Sequence, residues 1–242
     1  MTASERRVAF SLAGVFASRM LGLFLILPVF SLYAKELSGY TATLAGIALG
    51  IYGLTQALFQ IPLGMLSDRI GRKPVIIGGL LVFALGSVVA AMSTSVEGVI
   101  LGRALQGAGA VASAVMALAA DLTREEHRIK VMAFIGVSIG VSFAIAMVLG
   151  PVLHDWFGVP GIFWTTSILA LGGIAIISFF VPRPAISRFH RDTEVELSWF
   201  RHAVSDTQLL RVNFGIFCLH AILMGTFLVV PQLLHHGGGL EV

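Results

Sequence analysis

The chain has 242 residues, of which 57% are hydrophobic and only 12% charged, against about 25% charged in an average soluble domain. Its mean hydropathy of +0.91 marks a membrane chain, and its formal net charge of +3 comes from cations scattered between apolar runs, which suits a membrane surface and not nucleic acid. The single cysteine, Cys218, excludes a disulfide framework and a cysteine-based zinc site.

A membrane-crossing helix needs about 20 mainly apolar residues. Seven runs qualify: Val8–Ala34, Thr43–Leu66, Pro74–Met92, Gly98–Ala120, Val131–His154, Gly161–Val181 and Leu209–Leu234, taken here as spans one to seven. All are read as helices, because backbone exposed to lipid must satisfy its own hydrogen bonds and the runs are too long for barrel strands. The first is also too long for a secretory h-region, and no small-residue cleavage site ends it.

Span one carries Arg19 near mid-membrane and Phe24 beyond it. Span two carries Tyr52, Gln56 and Gln60 at i, i+4 and i+8, one stripe on one face. Such a stripe suits either a helix–helix contact or a cavity wall. Next comes the crowded turn Gly64–Ile76, with Asp68, Arg69, Arg72 and Lys73 among Gly64, Gly71 and Pro74. Span three has no ionisable residue. Span four opens with Arg103 and Gln106, where Arg103 either snorkels outward or faces a cavity, and Asp121 closes it. Span five offers Phe134 and Ser138, and span six again has no ionisable residue.

From Pro182 to Gln208 the chain is polar. Leu197, Phe200 and Val204 recur there at helical spacing, which fits an interfacial helix or a disordered linker. Span seven holds His220, either a packing histidine or a proton-binding group. The domain reading is therefore a six-helix bundle over 1–181, a cytoplasmic linker over 182–208, and a further span with the start of an outer loop over 209–242.

With the N-terminus inside, the inner loops collect every Lys and Arg of the chain except Lys35, Arg19 and Arg103, the asymmetry expected of cytoplasmic loops. Every Asp and Glu lies in a loop or at a span end, so the only ionisable groups well inside spans are Arg19, Arg103 and His220. A charge in the bilayer core costs about 3 kcal/mol even on the mildest scale, and such groups face a bundle interior or a wet cavity. Spans one, four and seven are thus expected to surround a polar cavity, and spans three and six to face lipid.

The turn Gly64, Leu66, Asp68, Arg69, Gly71, Arg72, Lys73 resembles the loop signature G-x-L-x-D-R-x-G-R-K of the major facilitator superfamily at every defining position. Arg103, Gln106, Gly107 and Gly109 resemble its span-four signature R-x-x-Q-G-x-G, and Leu21-Gly22 through Leu27-Pro28-Val29 its span-one pattern. The chain looks most similar to the drug/proton antiporter branch with twelve spans, and within it to the YajR-type exporters of bacterial inner membranes. One departure is in span five: Ala146 and Gly150-Pro151 are present, but His154-Asp155 stand where a glycine pair is expected.

The resemblance implies an all-α membrane fold, the N-terminal six-helix bundle of inverted three-helix repeats plus one further helix, with a second half missing. It implies a gating role for Gly64, Asp68, Arg69, Gly71, Arg72 and Lys73. Asp68 would contact a helix start in the other half, and Arg72 would pair with Asp121. Arg103 would serve proton coupling or a contact with span one; because no carboxylate lies inside the seven spans, a coupled proton would be carried by His220 or by the missing half. The expected substrate cavity is lined by Arg19, Phe24, Tyr52, Gln56, Gln60, Gln106, Phe134 and Ser138. The implied activity is proton-coupled export of small hydrophobic or amphipathic compounds, with no cofactor beyond the proton. The expected partners are the lipid bilayer and a small-molecule substrate, with no nucleic acid, and the full-length protein is expected to be a monomer in the inner membrane.

Rival readings are a truncated or half-transporter that moves nothing alone and a carrier of a metabolite rather than a drug. A seven-helix photoreceptor would need a lysine in span seven, and Lys35, Lys73 and Lys130 all lie in loops. A membrane enzyme would need paired intramembrane carboxylates or an H-E-x-x-H site, which the sequence lacks.

Overall fold

The computed structural model describes residues 1–182 and 205–237. Among the described residues eight α-helices follow one another: α1 Ala3–Phe24, α2 Phe30–Tyr33, α3 Ala42–Ile70, α4 Arg72–Ala91, α5 Val96–Ala108, α6 Ala112–Leu122, α7 Glu125–Phe179 and α8 Thr207–Gly237. The predicted interfacial helix around Leu197, Phe200 and Val204 lies outside the described residues. Helices α1 to α7 belong to one compact unit and α8 to a second.

Helix starts follow their caps. Thr2 Oγ1 accepts from the Glu5 amide at 3.2 Å while Glu5 Oε2 accepts from the Thr2 amide at 2.7 Å, a reciprocal pair that satisfies two otherwise orphaned donors. Thr41 caps α3 and Ser95 caps α5 in the same way with one bond each. Gly71 separates α3 from α4 with φ 99°, a conformation in which a β-carbon would be strained. Pro74 follows in the first turn of α4, where its missing N–H is not needed.

Four predicted spans differ in detail. Span one is not one helix: α1 ends at Phe24, and the chain turns through Leu25–Val29 before α2. Pro28 disfavours helix there, and Gly150 of span five packs into the break, where a β-carbon would meet Leu25 O at 2.6 Å. Span four is interrupted between α5 and α6, because Gly109 is pressed against the backbone of Gly79 and Phe83. Spans five and six are continuous in α7, whose 55 residues would reach about 80 Å if straight, far beyond a bilayer of about 30 Å. Gly158, at φ 65° and ψ −176°, reverses the chain instead.

Contacts along α1 fix that reversal. On span five, Ser142 bonds Ala17 O and Gly150 packs on Leu25, so span five runs parallel to α1. On span six, Thr166 bonds Gly22 O and Gly14 packs on Ile176, so that half runs antiparallel. Outside the bundle core, the loops before α3 and α5 are stitched together: the Ser38 amide bonds Thr94 O, and the Val96 amide bonds Ser38 O, both at 3.1 Å.

Glycines set the helix spacing. A β-carbon on Gly86 would lie 2.6 Å from Gly102 O, and one on Gly107 would collide with Tyr52 O, so spans three and two both touch span four backbone to backbone. This corrects the expectation that spans three and six face lipid. Val75, Ile76, Leu80, Phe83, Ala84 and Ser87 of α4 are buried, and only its other side, with Leu81 and Leu85, is exposed. Span six likewise buries Ile162, Phe163, Thr166 and Ala170 and exposes Trp164, Ile168 and Leu171. A helix without charges is one that packs closely on its neighbours, not one that must turn outward.

Candidate functional site

Four spans deliver side chains to one buried polar layer. Arg19 of α1 is 1% exposed, and its Nη2 donates to Gln56 Oε1 of α3 at 3.1 Å. Arg103 of α5 is also buried. Its Nε donates to Ala48 O at 3.3 Å and its Nη1 to Gln106 Oε1 at 3.0 Å. Gln106 Nε2 donates onward to Ser87 Oγ of α4 at 2.8 Å, and Ser87 Oγ donates to Phe83 O. Placement follows from helical periodicity, which brings Arg103 and Gln106 together one turn apart on α5.

Tyr52 sits between the two cations. Arg103 Cζ lies 4.9 Å from the Tyr52 ring centroid and Arg19 Cζ 5.9 Å, and Arg19 also lies 5.6 Å from the Phe83 ring. An aromatic face attracts a desolvated guanidinium by about 2 kcal/mol, so Tyr52 is the shared partner of both. Arg103 is therefore held by carbonyl, amide and ring, and does not snorkel.

The other expected cavity residues fall elsewhere. Phe24 is half-buried and meets Phe143 edge-on at 5.2 Å between centroids. Phe134 is 42% exposed and pairs with Phe10, nine residues before Arg19 on α1 and so about 14 Å along the helix from it. Ser138 Oγ donates to Ile135 O on its own helix. Gln60 is two turns beyond Tyr52, and its backbone carbonyl accepts from Ser113 Oγ of α6 at 3.0 Å. His220 belongs to the other unit, on α8, where its Nδ1 lies 2.9 Å from Ile216 O, an arrangement that puts the ring hydrogen on Nδ1.

The crowded turn forms a second cluster. Arg72, at the start of α4, forms an ion pair with Asp68 one turn earlier, and its Nε lies 3.2 Å from Asp121 Oδ2 at the end of α6. Its Nη1 donates to Ser67 Oγ at 2.7 Å, and Ser67 Oγ donates to Gly64 O. One guanidinium thus ties the inner ends of spans two, three and four. Gly64 also lets α6 approach, since a β-carbon there would meet Ser113 Oγ at 3.1 Å. Lys73 Nζ donates to Val181 O at the end of span six, while Arg69 is exposed. Nearby, Glu5 of α1 pairs with Arg124, Nε to Oε1 2.9 Å, an inner contact that sequence reading missed because the two lie 119 residues apart.

Residues 12–241 match the Major Facilitator Superfamily. The chain belongs to the major facilitator superfamily. It is 54% identical over 238 residues to the inner membrane transport protein YajR of Escherichia coli (strain K12), which covers 98% of this chain and 52% of that protein. It is 29% identical over 181 residues to the class B tetracycline resistance protein of Escherichia coli, covering 72% of this chain and 44% of the relative. Among solved structures, a bacterial homolog of the human lysosomal transporter Spinster overlays 100% of this chain on 57% of its own, with a TM-score of 0.77 at 14% identity, a likeness of fold. The chain spans about half the length of these relatives.

Among the described residues six helices are long and apolar enough to cross a membrane, as befits a multi-pass member of that family. Phe83 and Ser87 were not anticipated in the polar layer. Their signal was present, four residues apart on the helix that faces span four, but neither titrates.

Proposed function

We propose that the protein exports small hydrophobic or amphipathic compounds in exchange for entering protons, by alternating access around the Arg19–Tyr52–Arg103 layer. Residues 1–181 are the N-terminal bundle, 182–208 a linker, and 209–242 the start of the complementary half. The observation that carries this reading is the Asp68–Arg72–Asp121 cluster, which binds the inner ends of three spans through partly exposed charges. Charges of that kind re-form cheaply, as a gate requires, because a pair near the surface is worth about 1 kcal/mol or less. The proton is the only coupling species. It is taken up at His220, whose Nε2 is left to receive it when Nδ1 bonds Ile216 O, while Arg103, which keeps its proton, serves coupling through its fixed charge. The tetracycline resistance relative lends support to an export direction.

The test is substrate-dependent proton flux into proteoliposomes that hold the full-length protein and an entrapped pH-sensitive dye. Flux that no compound in a lipophilic panel can elicit would sink the reading. In the same assay Arg72→Ala should be slower than Asp121→Asn, because the change at position 121 leaves the Arg72–Asp68 pair in place. Losing one such pair shifts the gate equilibrium by about fivefold. His220→Ala should abolish proton-driven efflux in protein that still elutes as a sharp peak; unchanged efflux removes His220 from the mechanism.

A second reading, a half-bundle that moves nothing until another covers it, is favoured by the exposed apolar side chains Leu54, Leu58 and Ile61 of span two and Val137, Val141 and Val148 of span five. Comparing flux from this chain alone with flux from the full-length protein separates the two.

A further inference from the structure

We infer that Arg19 and Tyr52 form the receptor for the anionic head of the transported solute, a carboxylate carried on an apolar body. This rests on the transport reading above and names the substrate class for the same layer. The two buried arginines are not equivalent. Arg103 is bonded to Ala48 O and Gln106 Oε1, whereas Arg19 spends only Nη2, on Gln56, and its Nε and Nη1 are buried without a partner. The Tyr52 hydroxyl, on the ring that Arg19 packs against, is buried and unpartnered as well.

Buried polar groups are almost always hydrogen-bonded, and each one left unmade costs about 1–3 kcal/mol, more when charged. Several orphaned donors around one cation describe a seat for an acceptor. Among the described residues, no carboxylate pairs with either arginine. Through the shared ring the two guanidinium carbons are no more than about 11 Å apart, and their repulsion is at least about 1.5 kcal/mol at an effective dielectric constant of 20. A single negative charge arriving there relieves both the unmade bonds and the repulsion.

The donors select the head. Arg19 Nε, Arg19 Nη1 and the Tyr52 hydroxyl suit the two oxygens of a carboxylate, while a phosphate dianion brings more lone pairs than they answer. The Phe83 ring, 5.6 Å from Arg19 Cζ, offers an apolar surface for the body.

The experiment measures calorimetric binding to the full-length protein in nanodiscs, using 2-naphthoate, neutral 2-naphthamide and 2-naphthyl phosphate. Naphthoate should bind about tenfold tighter than naphthamide, as expected for charge-assisted hydrogen bonds. Arg19→Gln should erase that preference, and Tyr52→Phe should weaken naphthoate several-fold while leaving naphthamide unchanged. Should Arg19→Gln fail to fold, Tyr52→Phe decides alone. Equal binding of naphthoate and naphthamide, a preference that survives both substitutions, or tighter binding of the phosphate overturns the assignment. Because binding is read without a gradient, a lack of proton flux would sink the transport reading and leave this result standing. Flux of neutral compounds indifferent to Arg19→Gln would do the reverse.

Discussion

Replacing Gly107 by valine is expected to eliminate the folded protein. The first atom of any side chain at this position would collide with both Thr55 Oγ1 and Tyr52 O. The hydroxyl can rotate away, but the backbone carbonyl cannot. Spans two and four would have to part at the level of the polar layer, and Tyr52 would move off Arg103. Overpacking of a core usually costs about 1–3 kcal/mol; here the obstacle is backbone and lies beside buried charge, so the upper end or more is expected. The measurement is the monodisperse peak of a fluorescently tagged protein on size exclusion. Gly107→Val should lose it, and Gly136→Ala, with nothing within 4 Å of the added atom, should keep it. A normal peak for Gly107→Val would mean that the contact between spans two and four is not as close as described.

Arg103→Ala should come next in effect. It deprives Ala48 O and Gln106 Oε1 of a charged donor, and removes the cation packed closest to the Tyr52 ring. Hydrogen bonds to a charged group are worth about 1.5–3 kcal/mol each, so the loss is large for a membrane bundle even before transport is considered. Arg103→Lys separates the two roles. An ammonium keeps the charge but is a point donor on a flexible stem, and cannot hold carbonyl, amide and ring together as the planar guanidinium does. The expected outcome is a strongly destabilised Arg103→Ala, and an Arg103→Lys that folds with reduced thermal stability and greatly reduced proton-coupled flux. Wild-type flux from Arg103→Lys would restrict Arg103 to carrying charge.

Hydropathy made the spans legible, since a lipid solvent leaves helix as the only choice for a long apolar run. Their interruptions were not legible. The breaks after Phe24 and at Gly109 are caused by close packing against Gly150 and Gly79, contacts between residues far apart in the chain. The polar layer was readable where it titrates or carries an amide: Arg19, Tyr52, Gln56, Arg103 and Gln106 come together. Phe134 drops out because the level of a residue along a helix depends on which neighbour it packs against, here Phe10. The lipid-facing reading of span three failed for a related reason. It inferred exposure from missing charge, whereas Phe83 and Ser87 serve the arginines through a ring face and a hydroxyl.

The single-residue reversal at Gly158 bears on how the protein is made. Spans five and six are two helices joined directly at Gly158, with no polar loop between them long enough to rest in water while the second half waits. Neither end of that joint can stay inside the bilayer alone, since a free helix end carries unsatisfied carbonyls and amides. The two spans must therefore leave the translocation machinery as a helical hairpin, inserted in one step, and the order of synthesis delivers span one first, ready to receive both of its faces.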